Sequence, residues 1–382
     1  MSHGKQSSMS RLVVKPVETR RERRQFLHLP WQLYRDDPNW VPPLRMNQKE
    51  LVGYAAHPFY QHATAQTFLA QRDGVPCGRL AAIINPAHND CYQERRGFFG
   101  FFEAIDDQAT AERLFAAARS WLASRGMDRL RGPCNPSQNY ECGLLVEGFD
   151  SPPTFMMTYN PPYYARLIEG CGFHKAQDLY AFWGHVQMLQ SLDAKLQFIV
   201  DESIRRFHVQ LRQLNRRRFR EDVQMFLDIY NRSLPGTWGF VPLSDAEVRH
   251  MSKSLKYLVV PEMTSVAEVD GRPVGAVFAL LDYNPRIKEI DGRLFPLGFL
   301  RLLRNRRGLK RVRLISTNVL PEYQRWGLGL ALMSRLVPEV RQWGIEEGEF
   351  SWVLESNHLS RATLERGGAK RTKTYRIYED DP

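Results

Sequence analysis

The sequence predicts an α/β (α+β) protein built from two tandem copies of one unit, each a mixed, twisted sheet flanked by helices. Three observations lead there. At 382 residues the chain is too long for one ordinary core. It repeats itself at a spacing of about half its length. Within the repeat, apolar strand-like runs alternate with helical patterns, and a strand–helix–strand order implies parallel strands joined by a crossover.

The repeat is anchored by a turn. Asp73-Gly74-Val75-Pro76-Cys77-Gly78 and Asp270-Gly271-Arg272-Pro273-Val274-Gly275 both read D-G-x-P-x-G between short apolar runs, the signal of a tight hairpin. Trp40-Val41-Pro42 matches Trp238 to Pro242, Asn160 matches Asn357, and Gly172-Phe173 matches Gly368-Ala369, in the same order along the chain. Residues 110–125 and 329–343 carry helical apolar spacing, and 311–319 and 348–354 read as strands. The expected organisation is a flexible N-terminus over 1–19, a degenerate first unit over 20–185, a linker or helical connection over 186–219, and a second unit over 220–382.

Composition narrows the class. Hydrophobic residues make up 43% and charged residues 25%, as in ordinary globular proteins. No apolar run is long enough to span a membrane, and no apolar leader follows the start, so a cytoplasmic protein is expected. Five cysteines without a CxxC pair argue against a disulfide framework and against zinc, and no metal is expected. The net charge of +11 favours an anionic partner. Cations concentrate over 205–220 and over 293–313, the latter free of acidic residues.

The chemistry centres on residues 318–332, Asn-Val-Leu-Pro-Glu-Tyr-Gln-Arg-Trp-Gly-Leu-Gly-Leu-Ala-Leu. A strand ends at Val319, Pro321 breaks it, and a helix opens after Gly327 and Gly329. Glycines let backbone approach a ligand, and a helix N-terminus offers free N–H groups and a dipole favourable to negative charge. Such a turn grips a pyrophosphate. The P-loop fingerprint lacks its G-K-[ST], and the Rossmann fingerprint fits poorly.

Gln324-x-x-Gly327-x-Gly329 resembles the acyl-CoA signature of the GNAT N-acyltransferase superfamily. The resemblance continues through the strand Glu349–Ser356 into Asn357, a helix and Gly367-Gly368. It covers about 220–380, with a fainter copy over about 25–180. It implies acetyl-CoA or a longer acyl-CoA as co-substrate, held by Val319, Gln324, Arg325, Trp326, Gly327, Leu328, Gly329 and Leu330, with Asn357 near the pantetheine arm. In the first copy the matching place reads Ala104-Ile105-Asp106-Asp107-Gln108. Two carboxylates would repel a pyrophosphate, so no CoA site is expected there.

The implied reaction is attack of a neutral amine on a thioester, which needs a base, and backbone N–H groups on the strand ending at Val319 would polarise the carbonyl. The helical tyrosine common in this superfamily is replaced by Leu364, and 313–318 has no carboxylate. Strand alternation places Glu349, Ser351, Val353, Glu355 and Asn357 on one face. Glu355 and Tyr375 are therefore the candidate catalytic groups. Against this stand a surface ion pair for Glu355 and core packing for Tyr375.

The polar loop 132–143 reads as a substrate-contacting or a plain connecting loop. The aromatic–proline segments at 37–43 and 234–242 read as lids or as buried anchors. An amphipathic basic stretch over 293–313 suits peripheral membrane contact or its own domain. The expected acceptor is a small-molecule or peptide amine. No nucleic-acid motif stands out, and oligomeric state cannot be read. Two alternatives remain beside a CoA-dependent N-acyltransferase. One is a Fem-like aminoacyl transferase using charged tRNA; the other is a non-catalytic CoA-binding protein.

Overall fold

The computed structural model describes residues 11–190, 194–324 and 327–381. The first unit runs β1 (Leu12–Pro16), α1 (Arg20–Leu33), α2 (Arg45–Leu51), β2 (Thr64–Arg72), β3 (Val75–Ile84), α3 (Pro86–Tyr92), β4 (Arg96–Ala104) and α4 (Gln108–Ala123). It continues with β5 (Arg129–Gly132), β6 (Cys134–Asn135), β7 (Glu141–Cys142), β8 (Leu144–Glu147), α5 (Tyr164–Glu169) and β9 (Phe173–His185). The helix α6 (Ala194–Phe207) connects the units. The second runs β10 (Gln210–Arg212), α7 (Phe219–Ser233), α8 (Asp245–Leu258), β11 (Thr264–Val269), β12 (Arg272–Leu281), α9 (Asn284–Glu289) and α10 (Gly298–Leu303). It ends with β13 (Arg311–Val319), α11 (Leu328–Gln342), β14 (Glu347–Leu354), α12 (His358–Arg366) and β15 (Lys370–Asp380).

Local chemistry accounts for the matching elements. Both Asp-Gly turns place two successive residues at positive φ, +50° and +82° at Asp73-Gly74 and +51° and +73° at Asp270-Gly271, as a two-residue hairpin turn demands. Capping boxes start α1, through Thr19 and Glu22, and α8, through Ser244 and Glu247. Two expectations shift at the edges. The N-terminal segment expected to be flexible is strand from Leu12, because β1 pairs antiparallel with β2, Leu12 opposite Arg72. The stretch 186–219 holds α6 and also β10, which pairs with β11 and opens the second unit's sheet.

Apart from β6 and β7, which pair only with each other, the strands form one continuous sheet in the order β1-β2-β3-β4-β5-β15-β9-β14-β13-β12-β11-β10, with β8 also on β15. Its centre is interleaved. The last strand of the chain, β15, lies against β5 of the first unit, and β9, the last strand of the first unit, lies against β14 of the second. The cores interleave likewise. Leu354, Tyr375 and Ile377 pack with Phe26, Leu69 and Phe101 of the first unit, and Phe155 joins Val223, Phe278 and Leu332 of the second.

Candidate functional site

At the start of α11 the chain leaves backbone donors available. Gly327 is the N-cap, at φ +78°, and among the described residues no side chain caps the helix. The amides of Leu330 and Ala331 bond back to the Gly327 carbonyl, whereas those of Leu328 and Gly329 belong to the first turn and have no intrahelical partner. The two glycines differ in purpose. A Cβ on Gly327 would stand 2.3 Å from Ile199 Cγ2 of α6, so packing and backbone conformation both require glycine there. Among the described residues, a Cβ on Gly329 would meet only Thr317 Cγ2 at 3.5 Å, an ordinary contact. The fold itself would accept a side chain at Gly329.

The rest of the expected loop divides into framework and face. The Gln324 amide donates to Ser233 O at 3.1 Å and to Val319 O at 2.9 Å, tying the turn to the ends of α7 and β13. Val319 and Leu328 are buried in the second unit's core, and Leu330 is half-buried. Arg325 and Trp326 lie outside the described residues. Asn357 caps α12, its side chain accepting from the Ser360 amide at 3.1 Å.

Beside this turn the sheet opens. β13 and β14 run parallel and are paired from Arg311↔Glu347 to Leu314↔Phe350, yet the strands continue to Val319 and Leu354. Beyond that vertex the edge of β13 facing β14 has no strand partner. Among the described residues no side chain accepts from the amides of 315–318. The other edge of β13 is paired with β12 through Val319, so the amides left without a strand partner are those that point away from β12, and such donors inside a protein can polarise a bound carbonyl.

A buried polar cluster closes the vertex. Arg313 donates from Nε to Ser351 Oγ at 2.8 Å, from Nη2 to Ser351 O at 3.1 Å, and from Nη1 to Phe155 O at 3.0 Å and Met156 O at 3.2 Å. Glu349 accepts from Thr154 Oγ1 at 2.5 Å and from Ser351 Oγ at 2.6 Å. Thr154, Phe155 and Met156 come from the first unit, so both units build this wall. Glu141, also from the first unit, faces the Arg313 charge. Burial pushes its carboxyl up to about 7, with Arg313 opposing the rise. The surrounding loop 132–143 lies on the second unit: Asn139 Nδ2 donates to Val241 O at 2.8 Å and Tyr140 OH to Glu247 at 2.9 Å.

The structure does not bring Glu355 and Tyr375 together. The register of β14 against β9 shifts between Phe350 and Val353, a bulge that turns every later side chain to the other face. The alternation expected from Glu349 to Asn357 therefore breaks. Glu349 and Ser351 are buried on the same side as Leu354, and Glu355 points the other way, to Lys175 Nζ at 2.7 Å and Tyr180 OH at 3.2 Å. The Lys175 hydrogen bond holds the Glu355 carboxyl below the usual range despite partial burial, which makes it an ion-paired group. Tyr375 is fully buried on β15, and among the described residues its hydroxyl has no hydrogen-bond partner. Burial, with Glu349 nearby, pushes that hydroxyl well above its ordinary range.

Glu141, Arg313, Glu349 and Thr154 were missed as site residues. Glu141 lay inside a loop that could be singled out by its polarity. Arg313 and Glu349 required knowing where β13 and β14 part.

The first unit treats the matching places differently. Asp107 caps α4, accepting from the Thr110 amide at 2.9 Å and pairing with Arg72 at 2.6 Å. Burial alone would raise its carboxyl, but the Thr110 and Arg72 bonds hold it below the usual range. Its partner Asp106 pairs with Arg166. β4 and β5 also part, after Phe98↔Arg131, and the chain fills the gap itself: Asn135 Oδ1 accepts from the Phe101 amide at 2.6 Å. Gly100 meets the same segment so closely that a Cβ would stand 2.0 Å from Cys134 O.

Comparison with known proteins agrees with this geometry. Residues 223–368 match the acetyltransferase (GNAT) family. The chain is 37% identical over 360 residues to Protein YghO of Escherichia coli, covering 93% of this chain and 91% of that one. It is 35% identical over 383 residues to a protein named bacterial ceramide synthase from Caulobacter vibrioides, covering 98% of each. Among solved structures, a tandem GNAT protein from the clavulanic acid biosynthesis pathway superposes with a TM-score of 0.57 at 12% identity, covering 97% of this chain and 99% of that one, a likeness of fold. An uncapped glycine turn beside a parted pair of parallel strands, in the second of two such units, is thus explained by descent: the chain belongs to the GNAT acyltransferase family.

Proposed function

We propose that the second unit binds a long-chain acyl-CoA and transfers its acyl group to the amine of a long-chain amino alcohol. The observation that carries the acyl-CoA reading is the uncapped start of α11, where Gly329 has room for a side chain the fold does not require absent. Its position beside the open edge of β13 supports transfer rather than binding alone. Leu328 and Gly329 amides would hold the pyrophosphate, and the amides within 315–318 that point away from β12 would polarise the thioester carbonyl. The acceptor class is supported by the Caulobacter relative, because a ceramide is a long-chain amino alcohol acylated on nitrogen.

The reaction balances simply. The amine nitrogen bonds to the thioester carbon, the C–S bond breaks, and CoA leaves as thiolate, whose pKa of about 8.5 lets it depart without an acid. The proton lost by the amine passes to a base. Glu141 suits that task, since a carboxyl raised to about 7 can both accept and release a proton near neutrality.

The test is thiol release from a long-chain acyl-CoA with and without a long-chain 2-amino-1,3-diol, with the amide product identified by mass. Release that needs the acceptor is the expected result. A rate rising with pH through about 7 in the wild type, and a kcat lowered about 100-fold without that rise in Glu141→Gln, is expected for the base. Acyl-CoA binding without release for any amine would overturn the transferase reading and leave a CoA-binding protein.

A further inference from the structure

The second unit carries a longer connection than the first between its third and fourth strands. In the first, the short helix α3 fills the gap between β3 and β4. In the second, residues 282–310 fill it between β12 and β13, with α9 and α10. This insertion exposes large apolar side chains that the rest of the surface rarely shows. Phe295 is 70% exposed, Leu297 58% and Leu300 64%. They are not frayed. Gly298 and Leu302 of α10 are buried, and the Phe299 ring packs edge-on against Tyr257 of α8 at 5.4 Å. The insertion is thus anchored to the fold while its apolar edge points outward.

Beyond Asp291, which pairs with Arg45 and Arg293, the charge along that edge has one sign. No acidic residue occurs from Gly292 to Pro321, and Arg301, Arg304 and Arg307 are exposed there. Across the Phe299–Tyr257 contact, α8 exposes Arg249, Lys253 and Lys256, with no acidic residue from Arg249 to Pro261. Among the described residues neither Arg301 nor Arg304 forms an ion pair. Three large apolar side chains held in water forgo the stabilisation that burial would return. A ring of cations around them repels another basic surface but complements an anionic one.

We propose that this face, with Phe295, Leu297 and Leu300 inserted and Arg301, Arg304, Lys253 and Lys256 at the phosphates, docks the protein on an anionic lipid bilayer. Aliphatic and aromatic tips reach below the headgroups, while arginine and lysine stay at headgroup level. A nucleic acid would reward stacking rings rather than leucines. This surface would dock whatever the acceptor; a lipid acceptor would give the docking its purpose.

The experiment is co-sedimentation of the full chain with phosphatidylcholine vesicles and with vesicles that also contain phosphatidylglycerol. Binding to the mixed vesicles only, weakening as salt is added, is expected. Leu297→Asp with Leu300→Asp, and separately Arg301→Glu with Arg304→Glu, should each weaken it about 10-fold or more, with thermal unfolding and CoA binding unchanged. Wild type that ignores anionic vesicles, or apolar-edge variants that bind as wild type does, would overturn the proposal. So would light scattering that shows a dimer broken by Leu300→Asp, since the face would then meet a second copy. None of these outcomes depends on whether thiol is released.

Discussion

The two copies share an architecture and treat its two most reactive places in opposite ways. In the first, the helix after β4 starts on the Asp107 carboxylate, and the parted edge of β4 is met by Asn135 and the Cys134 carbonyl. In the second, the helix after β13 starts on a glycine, and the parted edge of β13 meets no strand. Every buried or half-buried backbone donor wants a partner. The first copy supplies the partners from its own chain, and the second leaves the same donors for something else. Degeneracy here is therefore a matter of occupancy, because the first copy already carries at its helix the negative charge that a pyrophosphate would bring.

That contrast can be broken directly. Gly329→Glu places a carboxylate in the first turn of α11, two residues beyond the Gly327 N-cap that corresponds to Asp107, at a position with ordinary room for a Cβ among the described residues. CoA affinity by calorimetry should fall about 100-fold or more, through lost dipole stabilisation, like-charge repulsion and blocked access together. Unchanged affinity would remove the α11 turn from the cofactor site. The reverse change, Asp107→Ala, should leave CoA affinity untouched and cost about 1 kcal/mol of stability in chemical denaturation, the usual loss on deleting an N-cap. An effect on CoA binding would mean the first copy is not closed.

A smaller effect sharpens how the copies hold each other. His57 of the first unit lies against His250 of the second, ring centroids 4.8 Å apart, and burial followed by the His250 charge lowers its pKa to about 4. The native state then binds fewer protons than the unfolded chain. Stability from this contact is complete above about 6.5 and is lost as pH falls through about 4. His57→Gln should flatten the stability profile in that window, read by thermal unfolding; a profile identical to wild type would show the contact to be neutral.

What was legible in the sequence was local. The Asp-Gly turns and the Gly327–Gly329 turn are each written in neighbouring residues, and the structure shows hairpins and a helix start where those signals fall. What escaped was non-local. Nothing in the pattern of β15 distinguishes pairing with β5 from pairing within its own unit, because alternation records a face and not a neighbour. The bulge between Phe350 and Val353 defeated alternation itself and put Glu349 and Glu355 on opposite faces. The cover of Gly327 by Ile199 also came from a distant helix, which spacing within the motif cannot show.

The interleaved centre of the sheet explains why an idle copy persists beside a working one. The first unit contributes β9, which flanks the strand carrying Glu349, and Thr154, which bonds that carboxylate. A gene trimmed to its second half would encode a sheet with an unpaired central edge and a cleft missing one wall. Duplicated modules strung like beads can be lost one at a time. These two, once laced together, can be inherited only as a pair.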